Sequence, residues 1–294
     1  MVARPKRLIA VLAAMAVLWA APRAATQQRS TSVTRIVSLV PALTEMLFAI
    51  GAGPQVVAVS SYDEFPPEVK SLPRVGALLD PDMERILALR PDLVISYGSQ
   101  TDVQAQLARA RIRVFSYRHA GLTGVFTTLT ELGAAVGRPA ESERLAREIR
   151  SGLDGLQARV RGRPKPRTLL VFERDPASLR GIYVSGGLGF LHEMLGIAGG
   201  VNVFADVARE SVQPSIETIL ARAPEVILEV RAVGLLGPSD VAQAKRVWGT
   251  VSSVPAVQHG RIAILSGDHL VVPGPRVVQG TEAFARALHP DAFK

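Results

Sequence analysis

The sequence predicts an α/β protein made of two similar lobes joined by a single long helix, and three observations carry that prediction. From Arg35 onward, apolar runs of four to six residues alternate with helical patterns, which is the signature of parallel sheets with crossover helices. Between Glu141 and Val160, the residues Leu145, Ile149, Leu153, Leu156 and Val160 recur at spacings of 4, 4, 3 and 4, so they share one stripe of one long helix. Finally, Pro81 to Ile95 (PDMERILALRPDLVI) aligns without gaps on Pro214 to Leu228 (PSIETILARAPEVIL), at an offset of 133 residues and with six of 15 positions identical.

The elements follow in order. Arg35 to Leu39 reads as a strand, and Pro41 to Ile50 as a helix started by Pro41 and stopped by Gly51. Val56 to Val59 is a strand, followed by a polar, proline-containing loop from Ser60 to Pro67. A short helix (Asp82 to Leu89), a strand (Leu93 to Tyr97), a helix (Thr101 to Ala110), a strand (Val114 to Tyr117) and a helix (Leu122 to Val136) complete a first lobe, residues 34–138. The long helix, residues 139–162, would run about 30 Å, roughly a domain diameter, before Arg161 to Pro166 ends it. Its place suggests a strut between lobes, although one more crossover helix would show the same periodicity. The second lobe, residues 166–290, has strands at Arg167 to Phe172, Ile182 to Val184, Glu225 to Val230 and Arg261 to Leu265. Its helices are expected at Gly189 to Leu195, Ser215 to Ala223, Ser239 to Thr250 and Arg276 to Leu288.

The 294 residues are 48% hydrophobic and 20% charged, which is globular composition and excludes disorder. The absence of cysteine removes disulfides, thiolate zinc sites, iron–sulfur clusters, cysteine nucleophiles and a lipidated N-terminal cysteine. Arg4, Lys6, Arg7 and Arg23 account for half of the formal net charge of +8, leaving +4 for the rest of the chain. With no basic stretch interleaved with aromatics, nucleic acid is not an expected partner. Residues 1–25 combine a basic start, an apolar run from Leu8 to Ala21 and small residues at Ala24 and Ala25; they read as a cleaved signal peptide.

Enzyme motifs are missing where they would be needed. His192-Glu193 lacks a second histidine at zincin spacing, no glycine precedes a lysine, and Ser185 has Tyr183 rather than glycine two residues before it. Ser185 to Gly189 (SGGLG) is a glycine-rich turn whose N–H groups either face a polar ligand or simply close a tight turn. His119, His192, His259, His269 and His289 share no ligand spacing, so no metal site is read from them. Asp268-His269 follows a strand at the carboxyl end, where open α/β sheets place ligands; Tyr97 ends its own strand and Tyr62 sits in the loop after another. In the repeat, Met83, Ile86 and Leu87, like Ile216, Ile219 and Leu220, are expected to face each lobe's core, which leaves Glu84 and Glu217 toward solvent. A first-turn acid needs only the helix dipole to justify it. Two such acids at equivalent places also suit pairing with arginines on a two-fold partner.

The stretches Arg35 to Leu47 (RIVSLVPALTEML), Val59 to Pro67 (VSSYDEFPP), Met83 to Ile95, Ser185 to Phe204 and Glu217 to Ile227, with Asp268 and Pro275-Arg276, resemble periplasmic substrate-binding proteins of ABC importers for cobalamin, haem and ferric siderophores, most closely the cobalamin-binding type. The resemblance implies the class III architecture, two Rossmann-like lobes on one backbone helix with little hinge closure. It implies a carrier rather than an enzyme, a monomer, without a resident cofactor, whose ligand is a cobalt corrinoid and whose partner is a dimeric ABC permease with its ATPase. It also implies a soluble periplasmic location. In the family one exposed glutamate per lobe docks on permease arginines, and Glu84 and Glu217 match these. Tyr62, Tyr97 and Asp268 match cleft positions, and Phe172, Arg174 and Ser185 lie near the second lobe's share of the cleft. His269 would be a rim residue or an axial ligand. Leu78, Ser211 and His269 stand where cleft aromatics are usual, and Val272 where an arginine is, which keeps haem or a ferric siderophore open as ligand. A metal-dependent hydrolase on a two-lobe scaffold is the reading from another class.

Overall fold

The computed structural model describes residues 33–232 and 236–294, so the signal peptide read at residues 1–25 lies outside the described residues. The first half comprises β1 (Ile36–Ser38), α1 (Pro41–Ala49), β2 (Val56–Val59), α2 (Met83–Ala88), β3 (Leu93–Tyr97), α3 (Thr101–Arg109), β4 (Arg113–Tyr117) and α4 (Gly121–Ala135). Its sheet runs β2-β1-β3-β4 and every pair is parallel. All four strands therefore end on one edge, and the loops that follow them gather there.

The long helix α5 (Pro139–Val160) carries its proline in the first turn, where a missing N–H costs nothing. Ile149, Leu153, Leu156 and Val160 are buried, and the helix packs on α4 from the first half and on helices of the second. Glu143 and Arg147 lie 3.8 Å apart on its exposed face and add a few tenths of a kcal/mol.

The second half comprises β5 (Arg167–Glu173), β6 (Tyr183–Ser185), α6 (Phe190–Ile197), β7 (Val201–Asn202), β8 (Ser211–Val212), α7 (Ile216–Arg222), β9 (Val226–Arg231), α8 (Pro238–Trp248), α9 (Pro255–Gln258), β10 (Ile262–Ser266) and α10 (Val277–Leu288). Here the expectation of a second parallel sheet fails in part. The order is β10-β9-β5-β6-β8; β10, β9 and β5 are parallel, and β6 alone is reversed, antiparallel to both of its neighbours, β5 and β8. The two-residue strands β7 and β8 and the four-residue α9 are too short to show a period, so pattern alone does not reveal them.

The internal repeat is mechanical as well as sequential. Asp82 caps α2 by accepting from the Arg85 N–H, and Ser215, 133 residues later, caps α7 by accepting from the Thr218 N–H. Both helices are followed by a left-handed residue that is not glycine, Arg90 at φ +48° and Ala223 at φ +44°. The Asp92 carboxylate accepts from the N–H groups of Thr34 and Arg35, and Glu225 accepts from that of Arg167. Arg35 and Arg167 in turn reach the carbonyls of Leu89 and Arg222 at the ends of the two helices. Both segments are thus helix–turn–strand units locked by one set of contacts.

One expectation about these helices is corrected. Ile86 and Ile219 are buried and Met83 and Ile216 half-buried, but Leu87 and Leu220 are 38% and 36% exposed. A helix of six or seven residues lies on its sheet through barely one turn, and the fourth residue after Met83 or Ile216 has already rotated off the contact.

Each half holds a private core, around Val37, Ile86 and Leu107 in the first and around Val184, Phe204 and Trp248 in the second. The largest core belongs to neither. It runs from Leu43, Met46 and Leu129 through Ile149 and Leu153 to Met194, Phe284 and Leu288. Burial across this waist resists opening of the halves, because separating them would expose continuous apolar surface.

Candidate functional site

The first half offers aromatic strand ends. Tyr97 closes β3 and Tyr117 closes β4, with ring centroids 5.9 Å apart edge to face. The Tyr117 hydroxyl lies 3.1 Å from His119 Nδ1, and the imidazole meets Phe190 of α6 edge to face at 5.2 Å. Burial pushes both tyrosine hydroxyls above their usual range, so the wall they form stays uncharged. Gln100 fixes the neighbouring loop by accepting from the Tyr97 N–H and donating to the Leu78 carbonyl.

The opposite wall comes from Phe172 near the end of β5, Leu188, Phe190 and Leu191 at the start of α6, Glu210 and Ser211 before and in β8, and Val271 to Pro273. The glycine-rich turn builds this wall, and three of its backbone N–H groups are already bonded within the second half. The N–H groups of Gly186, Gly187 and Leu188 donate to the carbonyls of Glu210, Val207 and Arg209, so none faces a ligand. A Cβ on Gly186 or Gly187 would stand 2.2 or 2.1 Å from backbone oxygens of that segment, which is why glycine is required at both. Ser185 is corrected accordingly: it is fully buried, donates to the Gly186 carbonyl and sits under Asn202, whose amide donates to the carbonyls of Ser185 and Gly186.

The walls enclose an open cavity of about 380 Å³ lined almost wholly by apolar and aromatic side chains, with Glu210 its one carboxylate among the described residues. Such a space takes a flat apolar body between facing rings and leaves polar periphery in water.

Beside it the halves are clamped twice. Arg276, at the start of α10, donates through Nε to Glu45 Oε2 of α1 at 2.9 Å and grips Asp268 through two further bonds of 2.9 and 2.7 Å. The Phe65 ring lies 3.9 Å from the same guanidinium. Desolvation pushes the Glu45 carboxyl up despite its partner. For Asp268, burial is outweighed by the Arg276 hydrogen bonds and charge, which hold it below the usual range. His269 Nδ1 and Nε2 stand against Gly267, and burial together with Arg276 pushes its imidazole down. On the other side, Glu193 Oε2 accepts from the Leu122 N–H at 2.8 Å, capping α4 across the gap. Gly121, at φ +63°, leaves the room this needs, since a Cβ there would stand 2.3 Å from Glu193 Oε1.

Of the residues expected in the cleft, Tyr97 and Phe172 line the cavity, as do Ser211 and Val272. Tyr62 does not line it; it is 73% exposed on the loop whose buried Asp63 accepts from Ser60 and whose end, Phe65, stacks on Arg276. Asp268 and His269 begin the segment that becomes the Val271 to Pro273 wall without lining the cavity themselves. Arg174 is corrected outright. Its side chain is 1% exposed and paired with Glu229 at 2.9 Å, beneath Trp248, which donates to the same carboxylate oxygen. Its Nε and Nη1 bond within the second half, to Glu229 and to the Asp175 carbonyl, while its buried Nη2 has no hydrogen-bond partner among the described residues. Glu84 and Glu217 are exposed and make no ion pair among the described residues. Tyr117, His119, Phe190 and Glu210 were missed. The first two follow from the same carboxyl-end rule that selected Tyr97, applied one strand further. Phe190 and Glu210 carry no local signal.

Comparison with known proteins places this geometry. The periplasmic binding protein family matches residues 36–268. The chain is 30% identical over 268 residues to an uncharacterized ABC transporter substrate-binding lipoprotein of Bacillus subtilis, covering 88% of this chain and 81% of that one. It is 30% identical over 286 residues to a vitamin B12-binding protein of Salmonella typhimurium, covering 96% of each. Among solved structures, the periplasmic haem-binding protein of Roseiflexus sp. RS-1 in apo form superposes with a TM-score of 0.74 at 28% identity, over 89% of this chain and all of that one. Two sheets bridged by one long helix, an aromatic cleft between them and a family match across both halves have one reading: the chain belongs to the periplasmic binding protein family of ABC transporter substrate-binding proteins.

Proposed function

We propose that this protein captures cobalamin or a related corrinoid outside the cytoplasmic membrane and hands it to an ABC importer, with Glu84 and Glu217 as the two points of attachment to the permease. The observation that carries this reading is the end-to-end relationship to a vitamin B12-binding protein, 96% of each chain, combined with a cleft that suits a corrin ring. Tyr97, Tyr117 and Phe172 are apolar faces for the macrocycle, and the exposed Tyr62 and Leu78 at the end of the first sheet extend that surface outward. Arg276 holds the halves at a set distance through Glu45, so binding needs no large closure. The metal comes with the ligand as cargo, and the protein supplies shape.

A second reading is favoured by one residue. His119, in the cavity wall, fits haem iron, and the Roseiflexus protein is a haem binder at 28% identity. An iron chromophore copurifying with the protein, lost in His119→Ala, is the expected sign of that alternative.

The attachment reading is tested by charge reversal. Glu84→Lys together with Glu217→Lys is expected to abolish uptake while cyanocobalamin affinity stays unchanged. Loss of ligand affinity in that variant would contradict it, since both carboxylates are exposed and lie on helices α2 and α7, away from the cavity lining.

A further inference from the structure

The repeat contains more identity than its fold needs. Of the six identical pairs, Ile86 and Ile219 are buried in the private cores, and Pro91 and Pro224 are buried ahead of β3 and β9. Glu84, Leu87 and Ala88, matched by Glu217, Leu220 and Ala221, are exposed in both halves. Each leucine packs through part of its side chain and still keeps more than a third of its surface in water, at the same place in both halves and beside the same glutamate and alanine. The neighbouring positions do differ, exposed Arg85 against half-buried Thr218, and Arg90 against Ala223, both exposed.

On each helix the three residues form one surface. Leu87 and Ala88 lie three and four positions after Glu84, and Leu220 and Ala221 stand likewise to Glu217, so each carboxylate sits one turn above an apolar spot with a methyl beside it. We infer that each half carries a composite docking patch, Glu84-Leu87-Ala88 and Glu217-Leu220-Ala221, that fits a two-fold symmetric permease presenting a guanidinium or ammonium next to an apolar socket in each subunit. The inference rests on the attachment reading above and adds to it the element that binds. The carboxylates supply orientation and encounter rate, which salt screens, and the leucines supply the desolvated contact that persists. The alanines leave room for a close approach of the partner's surface. Two unrelated partners would not require the same three residues at an offset of 133, whereas one dimer with two equivalent sites does.

The test measures binding of the ligand-loaded protein to the cognate permease–ATPase complex in nanodiscs, as a function of salt. Leu87→Asn and Leu220→Asn are each expected to weaken the complex about tenfold and together about 100-fold. The steep salt dependence of the unaltered protein should be retained, and any fall in melting temperature should leave the variant folded and its ligand affinity unchanged, since neither leucine lines the cavity. Leu87→Ala with Leu220→Ala should give the same direction with a smaller loss, and Glu143→Lys on the exposed face of α5 should change nothing. A double leucine variant that binds within twofold of the unaltered protein, while Glu84→Lys with Glu217→Lys fails to bind, overturns the inference and leaves the attachment reading standing. Unchanged binding of the charge-reversed protein removes the attachment reading and this inference with it.

Discussion

The first half places its aromatic residues where its strands stop, whereas the second half spends its polar chemistry inside. Tyr97 and Tyr117 end parallel neighbours β3 and β4 and line the cavity. The equivalent strand of the second half, β9, carries Glu229, only 2% exposed and gripped by Arg174, Arg231 and Trp248. Its share of the cleft comes instead from Phe172 of β5, the glycine turn and the start of α6, Glu210 and Ser211, and Val271 to Pro273. One repeated helix–turn–strand unit therefore supports two different walls. What is common to the halves fixes backbone and presents the exposed glutamates; what differs makes the binding surface.

The largest effect should come from the Arg174–Glu229 network buried in the second half. Glu229→Gln leaves Arg174 buried without its counter-charge, and a loss of about 3–5 kcal/mol is expected in denaturant unfolding. A loss below about 1 kcal/mol would mean that the network adds nothing to that half. Next is the clamp between halves: Glu45→Gln weakens the hold on Arg276, which keeps Asp268, and about 2–3 kcal/mol is expected, with weaker ligand binding because the wall spacing loosens. Ligand affinity that is unaffected would separate the clamp from the site. The caps then test the likeness itself. Asp82→Ala and Ser215→Ala should each cost about 1 kcal/mol, since each removes one equivalent bond to a helix N–H; clearly unequal costs would break the equivalence of the two units.

The smallest effect is in pH. Burial pushes the His289 imidazole down against its usual value, and its Nε2 faces the Gly199 carbonyl. As pH falls, the unfolded chain takes up this proton before the folded one does. Its contribution is therefore complete above the unfolded pKa and is lost as pH falls toward the depressed folded value. His289→Asn should flatten the decline of stability between pH 7 and pH 5, with His269, depressed in the same direction, supplying what remains of the slope. An unaltered slope would contradict this.

Most of the fold is legible in the sequence because its elements are long enough to show a period or are repeated. The stripe from Leu145 to Val160 gave α5, and the aligned pair of fifteen-residue segments gave two equivalent units. The mixed sheet was not legible, since β6 and β8 are three and two residues long and the pairing of the glycine turn depends on a segment about twenty residues away. Of the cavity lining, Tyr97 and, by extension, Tyr117 were legible through the strand-end rule, while Phe172, Ser211 and Val272 came from position and resemblance alone. Arg174 and Ser185 misled for one reason: a polar residue close to a cleft in sequence can be turned inward, and only a partner distant in the chain, Glu229 or Asn202, reveals it. The exposure of Leu87 and Leu220 was hidden likewise, because helical spacing cannot say how much of a short helix touches its sheet.

The central claim is that the aromatic cleft holds a corrinoid, and calorimetric titration of the purified protein with cyanocobalamin, with haem titrated in parallel, tests it most directly. The account predicts one-to-one cobalamin binding, with Tyr97→Ala and Phe172→Ala each weakening it at least about tenfold, while haem gives no saturable heat. Saturable haem binding with no cobalamin heat would contradict it and assign the same cleft to iron uptake.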